Sequence, residues 1–141
     1  MAAARTDLTD LLANLSLFVD LNPSELESVA HLVEERRFAD GERVLRQGLS
    51  GSSFYVILEG EAAVRVDGKD FGTLGRGDVF GEIGALLGVP PIADIVATRG
   101  LRTAVIPWPA FESFMVGHPR VMYRMLQAEA RKLRAATRQH N

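Results

Sequence analysis

The chain has 141 residues and a formal net charge of −2, from 16 basic and 18 acidic side chains. At 47% hydrophobic and 24% charged, it has an ordinary globular composition and the length of one domain. It contains no cysteine, which excludes disulfides, thiolate nucleophiles and cysteine-bound zinc, and the near-neutral total argues against a surface devoted wholly to nucleic acid.

The N-terminus, Met1 to Asp7, has no apolar stretch before its charges and does not read as a secretory signal. The longest uncharged apolar run, Ile83 to Ala93, is shorter than the ~20 residues of a membrane span and contains Pro90 and Pro91. A cytoplasmic protein with no membrane partner is expected. A short apolar helix is predicted over roughly Leu8 to Leu15. Asn22-Pro23-Ser24-Glu25 then supplies a cap residue, a proline at the first helical position and a capping-box glutamate. Leu26, Val29, Ala30 and Val33 follow at helical spacing. The helical segment is placed at residues 6–36.

The centre reads differently. Twelve of the 13 glycines lie between Gly41 and Gly100, so the backbone there turns every few residues. Phe54, Val56 and Leu58 alternate with Tyr55, Ile57 and Glu59, and Ala62, Val64 and Val66 with Ala63 and Arg65. Asp67-Gly68 is a hairpin signal before Lys69 to Leu74, and Leu101, Thr103 and Val105 form a further alternating run. Short strands at this spacing predict a β-roll over residues 38–107. After Trp108 the period is helical again. Pro109 and Pro119 each stand where a helix can open, giving two C-terminal helices over 109–138. In the second, Met122, Met125, Leu126, Leu133 and Ala136 share one face, opposite Arg120, Arg124, Arg131, Arg134 and Arg138. The expectation is one mainly β domain over residues 1–141, with N-terminal helices and two C-terminal helices.

Enzyme signals are poor. His31, His118 and His140 show no metal-ligand spacing, and no metal is expected. Gly48 to Ser52 lacks the last glycine of a nucleophile elbow and is read as a turn. No catalytic residue is assigned. The informative segment is Gly77-Asp-Val-Phe-Gly-Glu-Ile-Gly84, followed by Ala85 to Ile95. A glycine-rich start, a short apolar helix and a proline stop can make an anion cradle, or simply a tight corner in a β-roll.

At this segment the chain resembles a cyclic-nucleotide-binding domain of the catabolite-activator and protein kinase A regulatory-subunit type. The resemblance runs from about Leu15 to Thr137. It is carried by Leu17-Phe18…Glu25-Leu26, Phe38-Ala-Asp-Gly41, Arg46-Gln-Gly48, Ser53 to Gly60 and Gly77 to Gly84. It implies a jelly-roll-like, double-stranded β-roll of eight strands and a stand-alone regulatory or sensor module for cAMP or cGMP. By position it assigns ligand binding to Gly81, Glu82, Ile83, Gly84, Ile92, Ala93 and Thr137, with the phosphate on Gly81 and Gly84 and a ribose hydroxyl on Glu82.

The run then departs from the family pattern. Pro91 stands where the family has its phosphate-binding arginine, and Asp94 where it has Thr or Ser. Between Gly77 and Thr98 the charged residues are Asp78, Glu82 and Asp94, with no base, although Arg76 and Arg99 flank the segment. Tight binding of cAMP or cGMP is therefore not expected. The last helix is expected to form a homodimer through its apolar face. The alternative function is a ligand-free dimerisation or protein-interaction module, with an effector protein the sequence does not name. Residues 120–141 carry six bases against Glu129, but no helix-turn-helix follows, so DNA is not an expected partner.

Overall fold

The computed structural model describes residues 2–49 and 53–139. Ser50 to Ser52 of the turn segment, and His140, lie outside the described residues. Helix α1 (Ala2–Ala13) begins and ends earlier than the sequence suggested. A 3₁₀ turn (Ser16–Phe18) leads to α2 (Pro23–Leu32). The predicted capping box is present. Glu25 N donates to Asn22 Oδ1 at 2.8 Å, and Asn22 N to Glu25 Oε1 at 2.9 Å. The helical segment stops short of residue 36, because Glu34–Phe38 forms strand β1. Its five residues pair antiparallel with Leu101 to Val105, which satisfies backbone groups that a continued helix would bond internally.

The other strands are β2 (Arg43–Leu45), β3 (Phe54–Val66), β4 (Lys69–Leu74), β5 (Val79–Phe80) and β6 (Asp94–Ile106). They form one antiparallel sheet in the order β1-β6-β3-β4, with β2 on β6 and β5 on β3. Six strands are thus seen among the described residues, where eight were expected. The difference lies in β3 and β6, which each run unbroken for 13 residues. Their register shifts between Ile57 and Ala62. Gly60 sits in that irregularity at φ 86°, against the carbonyls of Arg99 and Gly100 where a Cβ would collide. A glycine that reads as a strand end is instead a bulge that lets one long strand bend. The Asp67-Gly68 turn behaves as predicted, with both residues at positive φ.

Helix α3 (Glu82–Leu87) lies between β5 and β6, and α4 (Trp108–Gly117) and α5 (Pro119–Gln139) close the chain. No helix among the described residues is long and apolar enough to cross a membrane. The two faces of the β3–β6 pair serve two cores. Phe54, Val56, Leu58, Ala104 and Ile106 pack against helical residues including Leu12, Phe18, Val29, Phe111 and Val121. Tyr55, Ile57, Leu101 and Val105 point the other way, toward Leu45, Phe80 and Ile95. Each large side chain buried this way contributes ~1.5–3 kcal/mol relative to exposure.

In α5 the structure revises the expected apolar face. Val121 and Met125 are in the core, while Met122, Leu126 and Leu133 are exposed. The start of the helix is held by Asp20, which accepts from Arg124 Nε at 2.8 Å and from Arg120 Nη2 at 3.1 Å. The Arg124 hydrogen bond, reinforced by Arg120, lowers the Asp20 carboxyl to about 2.

A buried arginine ties α1 and β1 to the roll. Arg102, on β6, donates to Glu35 Oε2 at 2.8 Å and to Asp7 Oδ2 at 2.6 Å, and Glu59 Oε1 lies 3.4 Å away. Hydrogen bonding from Arg102 holds the Glu35 carboxyl below its usual value of 4.5. A lowered carboxyl adds stability above its unfolded value, and that stability is lost as pH falls through the folded one. Arg102→Met removes the partner and leaves three carboxylates facing each other. We expect urea unfolding at pH 7 to show a loss of about 2 kcal/mol. The loss should shrink by pH 3; a loss equal at both pH values would rule this role out.

Candidate functional site

The interior core opens at one end into a cavity of about 260 Å³. Its walls are Leu45, Val64, Leu74, Phe80 and Ile95, and its rim is Gly81–Gly84 with Pro91–Ala93. Local rules of the chain build this rim. Gly81 takes φ 82° directly before α3, and a Cβ there would collide with the carbonyl oxygen of Ser53. Only glycine lets the strand pass into the helix at that point. Gly88, at φ 68°, ends the helix, and the Pro90-Pro91 pair carries the chain extended toward β6.

The first residue of α3, Glu82, is carried into the cavity with 5% of its surface exposed. Lys132 of α5 meets it there. Its Nζ donates to Glu82 Oε1 at 3.3 Å and to the Val79 carbonyl at 3.2 Å, with Glu129 Oε1 at 3.5 Å. One ammonium thus stands among a carbonyl and two carboxylates. Burial, reinforced by the charge of Glu82, pushes the Glu129 carboxyl up, and Lys132 opposes this. The second oxygen of Glu82, Oε2, is buried with no hydrogen-bond partner among the described residues.

Six of the sequence-assigned positions come together at this cavity: Gly81, Glu82, Ile83, Gly84, Ile92 and Ala93. Thr137 does not. It sits on the exposed end of α5, and its hydroxyl donates to the Leu133 carbonyl at 2.9 Å. Asp94 also falls outside the lining. Its Oδ1 accepts from Gln47 N at 2.7 Å, and Arg43 Nε lies 4.0 Å from Oδ2. Gly48 N donates to the Pro91 carbonyl at 2.9 Å, so this corner pins the loop after β2 onto the start of β6. The acid that the sequence placed beside a phosphate is committed to holding a loop.

Arg99 is exposed and paired with Glu61 at 3.1 Å, and Arg76 is exposed; neither lines the cavity. Among the described lining residues the cation is Lys132, already shared by two carboxylates. The sequence analysis counted Lys132 only among the six bases of residues 120–141 and gave it no place at the site. The signal that could have found it is its spacing, seven residues past the buried Met125 and so on the same stripe of the helix. The rest of the expected basic face is partly spent as well, since Arg120 and Arg124 are on Asp20.

A β-roll closed by helices, with a glycine-bounded turn of helix at an internal cavity, defines a class of small-molecule-binding domain. Residues 35–118 match the family model of the cyclic nucleotide-binding domain, and the chain belongs to that family. Solved structures agree in fold. The cAMP-bound PfPKA-R (141-441) matches with TM-score 0.78 and 25% identity over 96% of this chain and 48% of that one. The catabolite activator protein of Thermus thermophilus matches with TM-score 0.78 and 23% identity over 87% and 60%. The regulatory subunit of a cAMP-independent protein kinase A from Trypanosoma brucei matches with TM-score 0.78 and 24% identity over 92% and 47%. The chain spans less than two thirds of each of these three.

Among its described lining residues the cavity has no arginine, and Glu82 and Glu129 share the Lys132 ammonium.

Proposed function

We propose that this chain is a regulatory, sensor-type module of the cyclic nucleotide-binding family whose cavity does not take cAMP or cGMP tightly. It reports on its cavity through α5. The observation that carries this reading is the placement of Lys132: the closing helix lines the cavity through it and bonds the buried Glu82. Occupancy of the cavity and the position of α5 then bias one another, by the difference in ligand affinity between the two helix positions. The relative described as the regulatory subunit of a cAMP-independent kinase supports a regulatory role that does not need cAMP.

The magnitude of the missing contact supports weak cyclic-nucleotide binding. A charge-assisted, bidentate arginine–phosphate pair is among the stronger hydrogen-bonded contacts. Leaving one buried partner unpaired costs ~2–5 kcal/mol, or roughly 30-fold to several-thousand-fold in affinity. Titration calorimetry with cAMP and cGMP should give no saturable heat below millimolar ligand. Pro91→Arg combined with Asp94→Thr should produce measurable binding, since a threonine hydroxyl can still accept from Gln47 N. A submicromolar Kd for the unaltered protein would refute the reading.

A second reading, a dimerisation or interaction module, is favoured by the exposed apolar stripe of α5. Met122, Leu126 and Leu133 are 42%, 64% and 69% exposed. Their spacing suits a helix–helix seam between two copies. Light scattering should show a dimer that Leu126→Glu together with Leu133→Glu converts to monomer. A monomer before substitution at high micromolar concentration excludes this seam.

A further inference from the structure

Apart from Glu82 and Lys132, the side chains that line the cavity are hydrocarbon: Leu45, Val64, Leu74, Phe80 and Ile95 on the walls, with Ile92 at the rim. The two charged groups are committed to each other. Lys132 Nζ donates to Glu82 Oε1 at 3.3 Å and to the Val79 carbonyl at 3.2 Å, and Glu129 Oε1 lies 3.5 Å from it. Among the described lining residues no charge is left over for a ligand. Phe80 is a fixed aromatic wall, because its ring stacks on Tyr55 with centroids 4.6 Å apart and planes 7° from parallel. Protein interiors are close-packed, and an unfilled apolar void destabilises the fold around it. The void here is about 260 Å³, and an engineered apolar cavity of about 150 Å³ binds benzene. A fused aromatic bicycle is the size that fits.

We infer that the cavity binds an uncharged aromatic molecule of about bicyclic size, held by its hydrocarbon walls. This rests on the proposed reading that cAMP and cGMP are not bound tightly, and it goes further by naming the class of ligand that takes the same site. The ring system displaces water from hydrocarbon and gives the walls the contacts that the void denies them. Phe80 offers it an offset or edge-on aromatic neighbour. A charge on the ligand works against binding. An anion meets Glu82 and a cation meets Lys132, each already paired with the other. Either ion would leave water without gaining a free partner, and burial of an unpaired charge is strongly disfavoured. The same cost falls on a cyclic phosphate, so one property of the lining favours the bicycle and disfavours the nucleotide.

The test titrates naphthalene, naphthoate and naphthylmethylammonium into the full chain and follows the methyl groups by NMR. The three share one bicycle and carry no charge, a negative charge and a positive charge. Naphthalene is expected to bind with a submillimolar Kd and to shift the methyls of Leu45, Val64, Leu74 and Ile95. The two charged analogues should bind more weakly by roughly tenfold or more. Val64→Phe, whose larger side chain fills part of the cavity, should weaken naphthalene by about fivefold or more while circular dichroism shows the fold intact. The ligand series and the shift map make the case without that variant if it fails to fold. Equal binding of the three ligands, no binding of naphthalene, or shifts confined to the exposed Leu126 and Leu133 overturn the inference. Titrating cAMP alongside separates the two failures. Submicromolar cAMP binding refutes the reading beneath the inference, whereas silence from cAMP and naphthalene alike refutes the inference and leaves that reading standing.

Discussion

The carboxylate of Glu82 is held at the end of the roll, almost wholly out of water, and the architecture around it follows from keeping it there. A buried carboxylate is tolerated only with partners close by. One partner comes from the far end of the chain, 50 residues away, where Lys132 places its ammonium 3.3 Å from Oε1. That contact lies on the stripe of α5 that the burial of Val121 and Met125 and the Asp20 ion pairs turn toward the roll. Val121 and Met125 are buried on the same stripe, and Met122, Leu126 and Leu133 are left outside. α5 thus touches the cavity on one side and carries an exposed apolar stripe on the other, which is the arrangement the proposed coupling rests on.

The rigid part of this arrangement is the long β3–β6 pair. Its two faces divide the molecule into a helix-covered core and an interior core, and the cavity is the unfilled end of the second. Arg102 fastens α1 and β1 to that pair through Asp7 and Glu35, and Asp20 fastens the start of α5 through Arg120 and Arg124. The far half of α5 lacks comparable anchors. Beyond Lys132 every described side chain is exposed. Among the described residues, the Lys132 contact is therefore the last tie between the helix and the roll. Free energies of opening are smallest where buried contacts are few, so this end is the part able to move.

What the sequence made legible was local. Glycines and a proline pair marked the segment as a tight corner or an anion cradle, and it was the family resemblance that placed Gly81 to Gly84, Ile92 and Ala93 at one site. The cap of α2 and the Asp67-Gly68 turn were readable from their own residues. What stayed hidden was non-local. Asp94 reads as an acid near the ligand until the backbone N–H of Gln47 is seen to occupy it. Lys132 reads as solvated because its neighbours Arg131 and Arg134 are, although its spacing from Met125 marks the inner stripe. Gly60 reads as a strand end, and its use as a bulge depends on the approach of Arg99 and Gly100 from another strand. Arg102, a lone base in the apolar run from Leu101 to Ile106, carried a visible signal, but its acidic partners come from three different elements.

The tie between cavity and helix is tested most directly by a double-mutant cycle on Glu82→Gln and Lys132→Met, read by urea unfolding at pH 7. The Lys132 side chain is 44% exposed, so solvent screening limits the coupling to about 1 kcal/mol. A coupling of that size, favouring the native pair, is the predicted result. Losses that add to within about 0.3 kcal/mol would mean that the two groups do not interact, and α5 would then have no hold on the cavity.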